Sequence, residues 1–301
     1  MNTVRTRPQA EALSPLPAEE TRRLVQRIVD LPTLPIIIPQ ILRLVEDQKA
    51  SATDLARVIG SDQALASRVL RLANSAFYGF RREIVSISHA VVLLGFDTVK
   101  SIVLAATVFD TLGNGDVVSS FDREQFWLHV VTTANAAKRI ARDRRLMDPE
   151  AAFVAGLLHD IGKVVLDRFF YRHYAEAVRR ATALPCLIRE AEVQLFNVNH
   201  AQVGRWLTER WRFPPALVEP VAFHHAPQAA PREAVVLSTI VHVADLLARN
   251  ASIGSGGDPL VPVPERGVLE RLKLTAKELA GWSDQLAEDR EAVELFLQVI
   301  R

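Results

Sequence analysis

The sequence predicts an all-α protein built from two helical subdomains. Apolar residues recur at three- and four-residue intervals along most of the 301-residue chain, as at Leu65, Val69 and Leu72. Side chains that commonly cap helices precede several of these stretches. Alternation of apolar and polar residues, which is typical of strands, never persists beyond a few residues. These three observations favour helices and argue against a sheet.

Capping patterns predict where helices of the first subdomain begin. The patterns are Ser51 with Asp54 three positions later, Ser61 before Asp62, and Asp97 before Thr98. Each is followed by apolar residues at helical spacing, so a helix is expected after each one.

Turn-rich segments divide the chain into four predicted parts. Residues 1–18 carry scattered Pro, Arg and Glu without apolar periodicity and are expected to form a flexible tail. The first helical subdomain is predicted over 19–113 and the second over 121–250, because the intervening GNGDVVSS stretch is rich in turn formers. Residues 251–301 should comprise a loop and the closing helices. The loop, Ser252–Pro264, is rich in Gly, Pro and Ser, so we expect it to be exposed.

The composition predicts a cytoplasmic protein with no general affinity for nucleic acid or membrane. Lys and Arg number 36 and Asp and Glu 35, and the resulting formal net charge of +1 creates no strong field. The single cysteine, Cys186, has no partner for an internal disulfide and is expected to serve in packing. No signal peptide is evident, and no apolar stretch reaches the roughly 20 residues that a membrane span needs.

Several titratable residues fall on helix faces that are predicted to be buried. His129 shares its face with apolar residues at three- and four-residue spacing. His159 and Asp160 directly follow the apolar run 153–158, and Asp245 lies in a helix that is apolar almost all round. Burial of such groups without a partner is costly, so we expect each to be paired or bound.

Three further histidines complete the set. His200 is followed one turn later by Gly204, whose missing side chain leaves room for a close neighbour. His224 and His225 end a short segment that begins after a Pro-Pro pair. Each histidine alone is more often a hydrogen-bonded core residue than a ligand. Together, five imidazoles and two carboxylates suit iron, manganese, zinc or nickel, and two ions could be housed.

The surrounding motifs indicate a family. Those near the histidines are the HDIGK string from His159 to Lys163, the earlier His129 and the later Asp245. Those upstream are LPTLP (Leu31–Pro35), SDQAL (Ser61–Leu65), RLANSAFY (Arg71–Tyr78) and SHAVVLLG (Ser88–Gly95). The first set resembles the HD superfamily of metal-dependent phosphohydrolases, and the second closely resembles its HDOD branch. The resemblance covers residues from about 25 to about 250 and implies the multi-helical HDOD/HD-domain fold.

His200, in an HxxxG context, and the His224-His225 pair are also similar to the HD-GYP cyclic dinucleotide phosphodiesterases. The resemblance implies one ion held by His129, His159, Asp160 and Asp245, and a second held by Asp160, His200, His224 and His225. The chain departs from that family after the pair, where the sequence Ala-Pro-Gln contains no Glu and no Gly-Tyr-Pro stretch follows. This departure argues against hydrolysis of cyclic dinucleotides.

The resemblance implies a regulatory signalling protein that acts mainly through a protein partner. Its cofactor would be a divalent metal, iron or manganese first and zinc or nickel as alternatives, as one or two ions. The alternative is a metal-dependent phosphohydrolase acting on a nucleotide or cyclic dinucleotide, with Asp160 and Lys163 in catalytic roles. Beyond Lys163 and Arg205, no residue is evidently committed to holding a nucleotide, so regulation is favoured.

A partner surface is predicted on the loop from Asn74 to Arg82. Its aromatic and basic residues, of kinds favoured at interfaces and anion sites, are Phe77, Tyr78, Phe80, Arg81 and Arg82. A packed turn between helices is an equally good interpretation of the same residues.

Two other segments give weaker indications of an interaction site. Asp54–Ala73 superficially matches a helix-turn-helix, which makes DNA binding a second alternative, but only Arg68 and Arg71 stand among its apolar residues. The apolar end of the chain, from Leu295 to Ile300, offers contacts for a homodimer.

Overall fold

The structure, a computed structural model, describes residues 14–27, 39–41, 44, 50–80, 82–112, 120–184 and 186–300. Within these ranges the chain forms α-helices, a short 3-10 helix at Pro227–Ala229 and no strand, which confirms the all-α prediction. The helices are α1 (Ala18–Arg27), α2 (Ala52–Gly60), α3 (Gln63–Ala73), α4 (Ile87–Leu94), α5 (Phe96–Leu112), α6 (Arg123–Arg144), α7 (Pro149–Leu158), α8 (Ile161–Phe169), α9 (Tyr171–Ala183), α10 (Ile188–Phe196), α11 (His200–Arg210), α12 (Pro215–Phe223), α13 (Val235–Asn250), α14 (Val268–Arg271) and α15 (Ala276–Ile300).

Local hydrogen bonds explain where the early helices begin. Before α2, the Asp54 N–H donates to Ser51 Oγ at 3.2 Å and the Ser51 N–H donates to the Asp54 carboxylate at 3.1 Å. The predicted capping box is therefore confirmed. Before α3, the cap is Asp62, whose carboxylate accepts from the Leu65 N–H at 3.0 Å. Ser61 instead ends α2, so the cap predicted there lies one residue further along.

The helix start predicted at Asp97 also differs from the structure, where the helix begins earlier in the chain. α5 begins at Phe96, directly after Gly95, which ends α4 with a φ of 88°. Because glycine adopts this conformation without strain, the chain passes from one helix to the next within a single residue. Asp97 consequently lies in the first turn of α5, where its carboxylate accepts from Lys100 Nζ at 2.9 Å.

Helices α6, α7 and α13 form the centre of the fold. α6 packs extensively against both α7 and α13. α13 is buried without interruption over 237–248, as its apolar sequence predicts. Gly156 lets α7 approach α6 closely, since a Cβ at this position would lie 2.7 Å from Ala134 Cα. The result is that His129 of α6 and Asp245 of α13 are both held in the interior.

The C-terminal helix α15 connects early and late parts of the chain. It packs against α3 and α5 and also against α6 and α13. The Phe296 side chain is fully buried, with its ring centroid 4.9 Å from that of Phe77. Leu297 and Ile300 are buried as well. These apolar residues therefore serve packing within the chain, and a homodimer stays a prediction.

Several sequence features lie outside the described residues. They are residues 1–13 of the predicted tail, the Leu31–Pro35 motif, Arg81, and residues 113–119 of the predicted subdomain boundary. The division into helical subdomains over 19–113 and 121–250, with a loop and closing helices over 251–301, remains our proposal from the sequence.

Two expectations from composition can be compared with the fold. Cys186 is partly buried against the hydrophobic core, in agreement with a role in packing. Among the helices that the structure describes, none combines the length and apolarity needed to cross a membrane. The cytoplasmic compartment stays a prediction.

Replacing Phe296 by Ala should lower the free energy of unfolding by about 3–5 kcal/mol, because it empties a buried site between α15 and the turn that carries Phe77. Urea unfolding of the purified protein measures this loss. The matched control is Leu295→Ala, whose side chain is 37% exposed and should cost much less. Equal losses for the two variants would contradict the packing of α15 against the core.

Candidate metal centre

A cluster of histidines and aspartates lies in the interior around Asp160. This residue lies in the short turn between α7 and α8, and its side chain has no exposed surface. One carboxylate oxygen, Oδ2, faces His129 and His159, and the other, Oδ1, faces His200 and His224. Asp160 therefore divides the cluster into two groups that share a carboxylate.

The first group surrounds Asp160 Oδ2. His129 Nε2 lies 3.8 Å from this oxygen and His159 Nε2 lies 3.4 Å from it. Asp245 Oδ1 completes the group, at 3.1 Å from His129 Nε2 and 3.8 Å from His159 Nε2. The structure thus brings together the four residues expected to hold one ion.

The second group surrounds Asp160 Oδ1. His200 Nε2 lies 3.1 Å and His224 Nε2 lies 3.7 Å from this oxygen. His225 Nε2 is 2.8 Å from His200 Nε2. The ligand atoms of these four residues all lie within 4.8 Å of one another. This is the second set expected from the sequence, and a shared carboxylate between two sets is typical of two-metal sites.

Hydrogen bonds on the far side of two rings set their orientation. His159 Nδ1 donates to the Gly156 carbonyl at 2.7 Å, and His224 Nδ1 donates to the Val221 carbonyl at 2.8 Å. A carbonyl oxygen can only accept, so in both rings Nδ1 carries the proton. The Nε2 lone pair of each ring is therefore directed towards Asp160, as in metal-binding histidines.

Glu192 orients His200 in the same way, although the sequence analysis missed it. Its carboxylate accepts from His200 Nδ1 at 2.7 Å and from the His200 backbone N–H at 2.8 Å. Glu192 is fully buried on α10. The available sequence signal was its helical spacing from Ile188 and Leu195, which places it on the apolar face of α10.

The electrostatic environment keeps the carboxylates ionised. Burial by itself raises the pKa of Asp160, but the charges of Lys163 and of neighbouring imidazoles outweigh burial and hold that pKa well below its ordinary value. Burial likewise raises the pKa of Asp245, but the charge of Arg249 and the neighbouring His129 and His159 together outweigh burial and hold that pKa well below its ordinary value. Both side chains are consequently carboxylates at neutral pH.

Most of the imidazoles are neutral for the opposite reason. Burial lowers the pKa of His129, and it lowers the pKa values of His224 and His225 well below the ordinary value. His200 differs: burial lowers its pKa, but the carboxylates of Glu192 and Asp160 together outweigh burial and raise that pKa above its ordinary value. Neutral imidazoles and ionised carboxylates are the protonation states that bind metal ions.

Buried atoms without hydrogen-bond partners indicate what fits the cluster. Among the described residues, His129 Nε2, His159 Nε2, His224 Nε2 and Asp160 Oδ1 are buried and have no hydrogen-bond partner. Each such atom costs about 1–3 kcal/mol when it is left unpaired. Divalent cations in the two groups would satisfy all four, because imidazole nitrogens and carboxylate oxygens donate electron pairs. The residues present therefore fit a divalent metal.

The loop predicted to be exposed covers the cluster instead. Gly256 is buried, and a Cβ on it would lie 3.2 Å from Asp160 Oδ2. Gly254 adopts a φ of +72°, and a Cβ there would lie 2.2 Å from the His129 backbone nitrogen. The expectation of exposure for Ser252–Pro264 is therefore wrong for its first half. Small residues in this loop let its backbone pack closely against the cluster. A composition rich in Gly, Pro and Ser is compatible with such packing as well as with exposure, so it could not decide between them.

Lys163 connects this loop to the cluster. Its Nζ donates to Asp160 Oδ2 at 2.8 Å, to the Gly256 carbonyl at 2.7 Å and to Asp258 Oδ2 at 3.4 Å. These acceptors account for the three donors of an ammonium group. Burial lowers the pKa of Lys163, but Asp160 and Asp258 raise it by more, so the side chain stays charged.

Asp258 and Arg249 are two further residues that the sequence analysis missed. Arg249 Nη1 lies 2.6 Å from Asp258 Oδ2, and Arg249 Nε donates to Asp245 Oδ1 at 2.7 Å. Asp258 also accepts from the Ile188 N–H at 2.7 Å. The four-residue spacing of Asp245 and Arg249 on α13 could have predicted their pairing. No periodic pattern marks Asp258, because it lies in a loop.

The structure divides the residues of the predicted partner surface. Phe77 and Tyr78 are partly buried and pack against the hydrophobic core. Phe80 is 40% exposed and Arg82 is exposed, while Arg81 lies outside the described residues. The exposed part of this loop is thus its second half.

The segment considered for DNA binding forms α2 and α3. Leu65 and Val69 are buried, as their spacing predicts. Arg68 forms an ion pair with Asp110 of α5. This ion pair holds Arg68 against the protein and argues against its use as a phosphate contact.

Comparisons with known proteins agree with this architecture. The model of the HDOD domain family matches residues 31–227. An uncharacterized protein of Treponema pallidum is 29% identical over 238 residues, which cover 75% of this chain and 44% of the relative. The chain therefore spans less than half the length of that relative.

Two solved structures are similar over nearly their whole length. The crystal structure of an HDOD domain protein of unknown function from Geobacter sulfurreducens has 27% identity and a TM-score of 0.79, covering 92% of this chain and 98% of that one. A candidate phosphohydrolase from Shewanella amazonensis has 27% identity and a TM-score of 0.71, covering 92% and 97%.

Replacing Gly162 by Ala should separate α8 from α11 and disturb the contact of Asp160 with His200. A Cβ on Gly162 would lie 2.0 Å from the His200 carbonyl oxygen and 2.7 Å from the Gly204 nitrogen, which are backbone atoms and cannot rotate away. We expect a loss of at least about 2 kcal/mol in the free energy of unfolding. The control Gly281→Ala, with nothing within 4 Å of its Cβ, should be neutral or stabilising. Similar urea midpoints for the two variants would contradict this helix contact.

Proposed function

Because the chain belongs to the HDOD domain family, we propose that it is a regulatory signalling protein in which a closed metal centre supports a protein-binding module. The observation that carries this proposal is the near-complete burial of the cluster, in which His225 is the one expected ligand that is partly exposed. The side chains of His129, His159 and Asp160 have no exposed surface, and the same is true of His200 and His224. Structural metal sites are closed, whereas catalytic sites keep a position open to substrate.

We propose that the cluster holds two divalent ions. The first would be bound by His129, His159, Asp160 and Asp245, and the second by Asp160, His200, His224 and His225. The grouping around the two oxygens of Asp160 and the unpaired buried atoms support this assignment. Mixed nitrogen and oxygen donors suit iron or manganese, with zinc or nickel as alternatives. Such an ion supplies concentrated positive charge and Lewis acidity.

The cations near the cluster support a regulatory role over a catalytic one. Hydrolysis requires a phosphodiester held in line for attack, and positioning contributes several kcal/mol to such reactions. Lys163 donates instead to Asp160 and to the loop above the cluster. Arg205 donates to Glu209 at 2.9 Å and to Glu219 at 3.4 Å. The chain's own groups thus occupy the donors of Lys163 and two of the donors of Arg205.

Metal-dependent phosphohydrolysis is the second candidate function. The shared position of Asp160 between two groups of ligands favours it, because bridging carboxylates recur in two-metal hydrolytic sites. In this alternative, a nucleotide or cyclic dinucleotide would be the substrate, and Lys163 would exchange its contact with the loop for a contact with phosphate. Movement of the loop at Gly256 would have to precede binding.

Exposed apolar side chains on the N-terminal half support a protein partner. Phe80 is 40% exposed, Val85 is 72% exposed and Val92 is 77% exposed. Groups of exposed apolar residues commonly mark interaction sites. We therefore centre the proposed partner surface on these residues and Arg82, and give Phe77 and Tyr78 a smaller part because they pack inwards.

Metal analysis tests the ligand assignment. Protein purified without chelator or metal-affinity resin should contain bound divalent metal, which Asp160→Ala should abolish together with part of the thermal stability. His200→Ala should lose the second ion. The control His173→Ala should keep the wild-type content, because His173 lies on α9 and contacts the Ser14 carbonyl at 3.3 Å. Wild-type metal content in Asp160→Ala would show that the cluster is an ordinary polar core.

Turnover assays separate regulation from hydrolysis. Wild-type protein loaded with iron or manganese should cleave nucleotides and cyclic dinucleotides no faster than Asp160→Ala, because the closed loop and Lys163 leave no place for a phosphodiester. Circular dichroism at the assay temperature ensures that both proteins are folded. Clear turnover by the wild type that Asp160→Ala lacks would establish the hydrolase instead.

A further inference from the structure

A second polar site lies away from the metal cluster. A cleft of about 260 Å³ opens between the turn that carries Phe77 and Tyr78, one face of α6, and α15. Lys138, Arg139 and Arg142 line it from α6, and Asp289 lines it from α15. None of these residues belongs to the metal cluster.

Three cations line the cleft, and each of them is paired with an acidic residue. Lys138 forms an ion pair with Glu150, and Arg139 forms one with Asp289. Arg139 Nε is buried and has no hydrogen-bond partner among the described residues. The side chain of Arg142 is 60% exposed and pairs with the adjacent Asp143 at 3.0 Å.

The pairing of Arg142 is weak enough for a ligand to displace it. Exposed ion pairs contribute about 0–1 kcal/mol, whereas a guanidinium and a phosphate form stronger, bidentate hydrogen bonds. An anion that entered the cleft would therefore recruit Arg142 at little cost. It would also lie beside Arg139, whose guanidinium lines the cleft and is already paired with Asp289.

Phe77 and Tyr78 form an aromatic wall on one side of the cleft. This wall indicates which class of anion the cleft binds. The Phe77 and Tyr78 rings lie edge to face with centroids 5.1 Å apart, and Lys138 Nζ lies 5.9 Å from the centroid of the Tyr78 ring. Aromatic rings beside basic side chains commonly bind nucleotides, because bases stack on the rings and phosphates meet the cations. A simple inorganic anion would leave this wall unused.

We propose that the cleft binds a nucleoside monophosphate, with the base against Tyr78 and the phosphate at Arg142. The volume of about 260 Å³ lies just below the range of roughly 300–1,000 Å³ found for drug-sized ligands. This volume makes a mononucleotide the upper limit of size for the ligand and excludes a cyclic dinucleotide. The proposal goes beyond the proposed function and depends on neither metal binding nor hydrolysis.

Calorimetric titration of the full chain with AMP tests the site. Arg142→Ala should weaken AMP binding by at least about tenfold, the effect of losing one charge-assisted pair with phosphate. Arg142→Lys should give an intermediate affinity, because lysine keeps the charge but not the bidentate geometry. The matched control is Arg179→Ala, which removes a 67% exposed arginine from a comparable ion pair with Glu176 and should change the affinity by less than twofold.

Two other ligands and one change of conditions complete the test. Adenosine and inorganic phosphate should each bind at least tenfold more weakly than AMP, and chelation of metal should leave AMP binding unchanged. Equal affinities for phosphate and AMP would overturn the role of the aromatic wall. Loss of AMP binding on chelation would indicate that AMP binds at the metal cluster and would overturn the proposal. Absence of AMP binding to the folded wild type, or wild-type affinity in Arg142→Ala, would also overturn it.

Discussion

The buried carboxylate of Asp160 is the constraint on which the surrounding structure depends. A carboxylate in the interior is stable only if nearby charges and donors replace the lost water. Lys163 supplies the charge at 2.8 Å, and imidazoles from different segments of the chain approach the two oxygens. The adjacent unpaired atoms of His159 and His224 mean that these protein contacts are incomplete by themselves. A cluster with this surplus of electron-pair donors is suited to divalent metal.

Close approach of the elements around Asp160 produces both the grouping of ligands and its closure. Gly162 and Gly204 bring α8 against α11, and Gly256 brings the covering loop to the cluster. Side chains at these positions would hold the backbones apart. The same packing leaves no exposed surface on Asp160 and takes the donors of Lys163. A cluster can therefore contain all the residues expected to bind metal and still be largely buried, which is the basis on which we propose regulation.

Helix α6 links the metal cluster to the proposed nucleotide site. Its 22 residues place His129 in the interior and, further along, present Lys138 and Arg142 to the cleft. The C-terminal helix borders the same cleft through Asp289 and buries Phe296 against Phe77. A ligand in the cleft would thus contact elements from the beginning, the middle and the end of the described chain. This arrangement connects ligand binding directly to the turn beside the proposed partner surface.

The sequence by itself determined the helical architecture and the burial of His129, Asp160 and Asp245, because spacing along a helix decides which side chains share its apolar face. It also indicated the room that Gly204 provides for a close neighbour. Residues whose roles depend on distant segments were missed: Glu192 behind His200, and Asp258 in the covering loop. The exposure expected for Ser252–Pro264 was wrong for the same reason, since composition does not reveal which surface a loop packs against. Only the tertiary structure decided that the cluster is closed, because closure arises from contacts between segments far apart in the chain, and local periodicity contains no information about them.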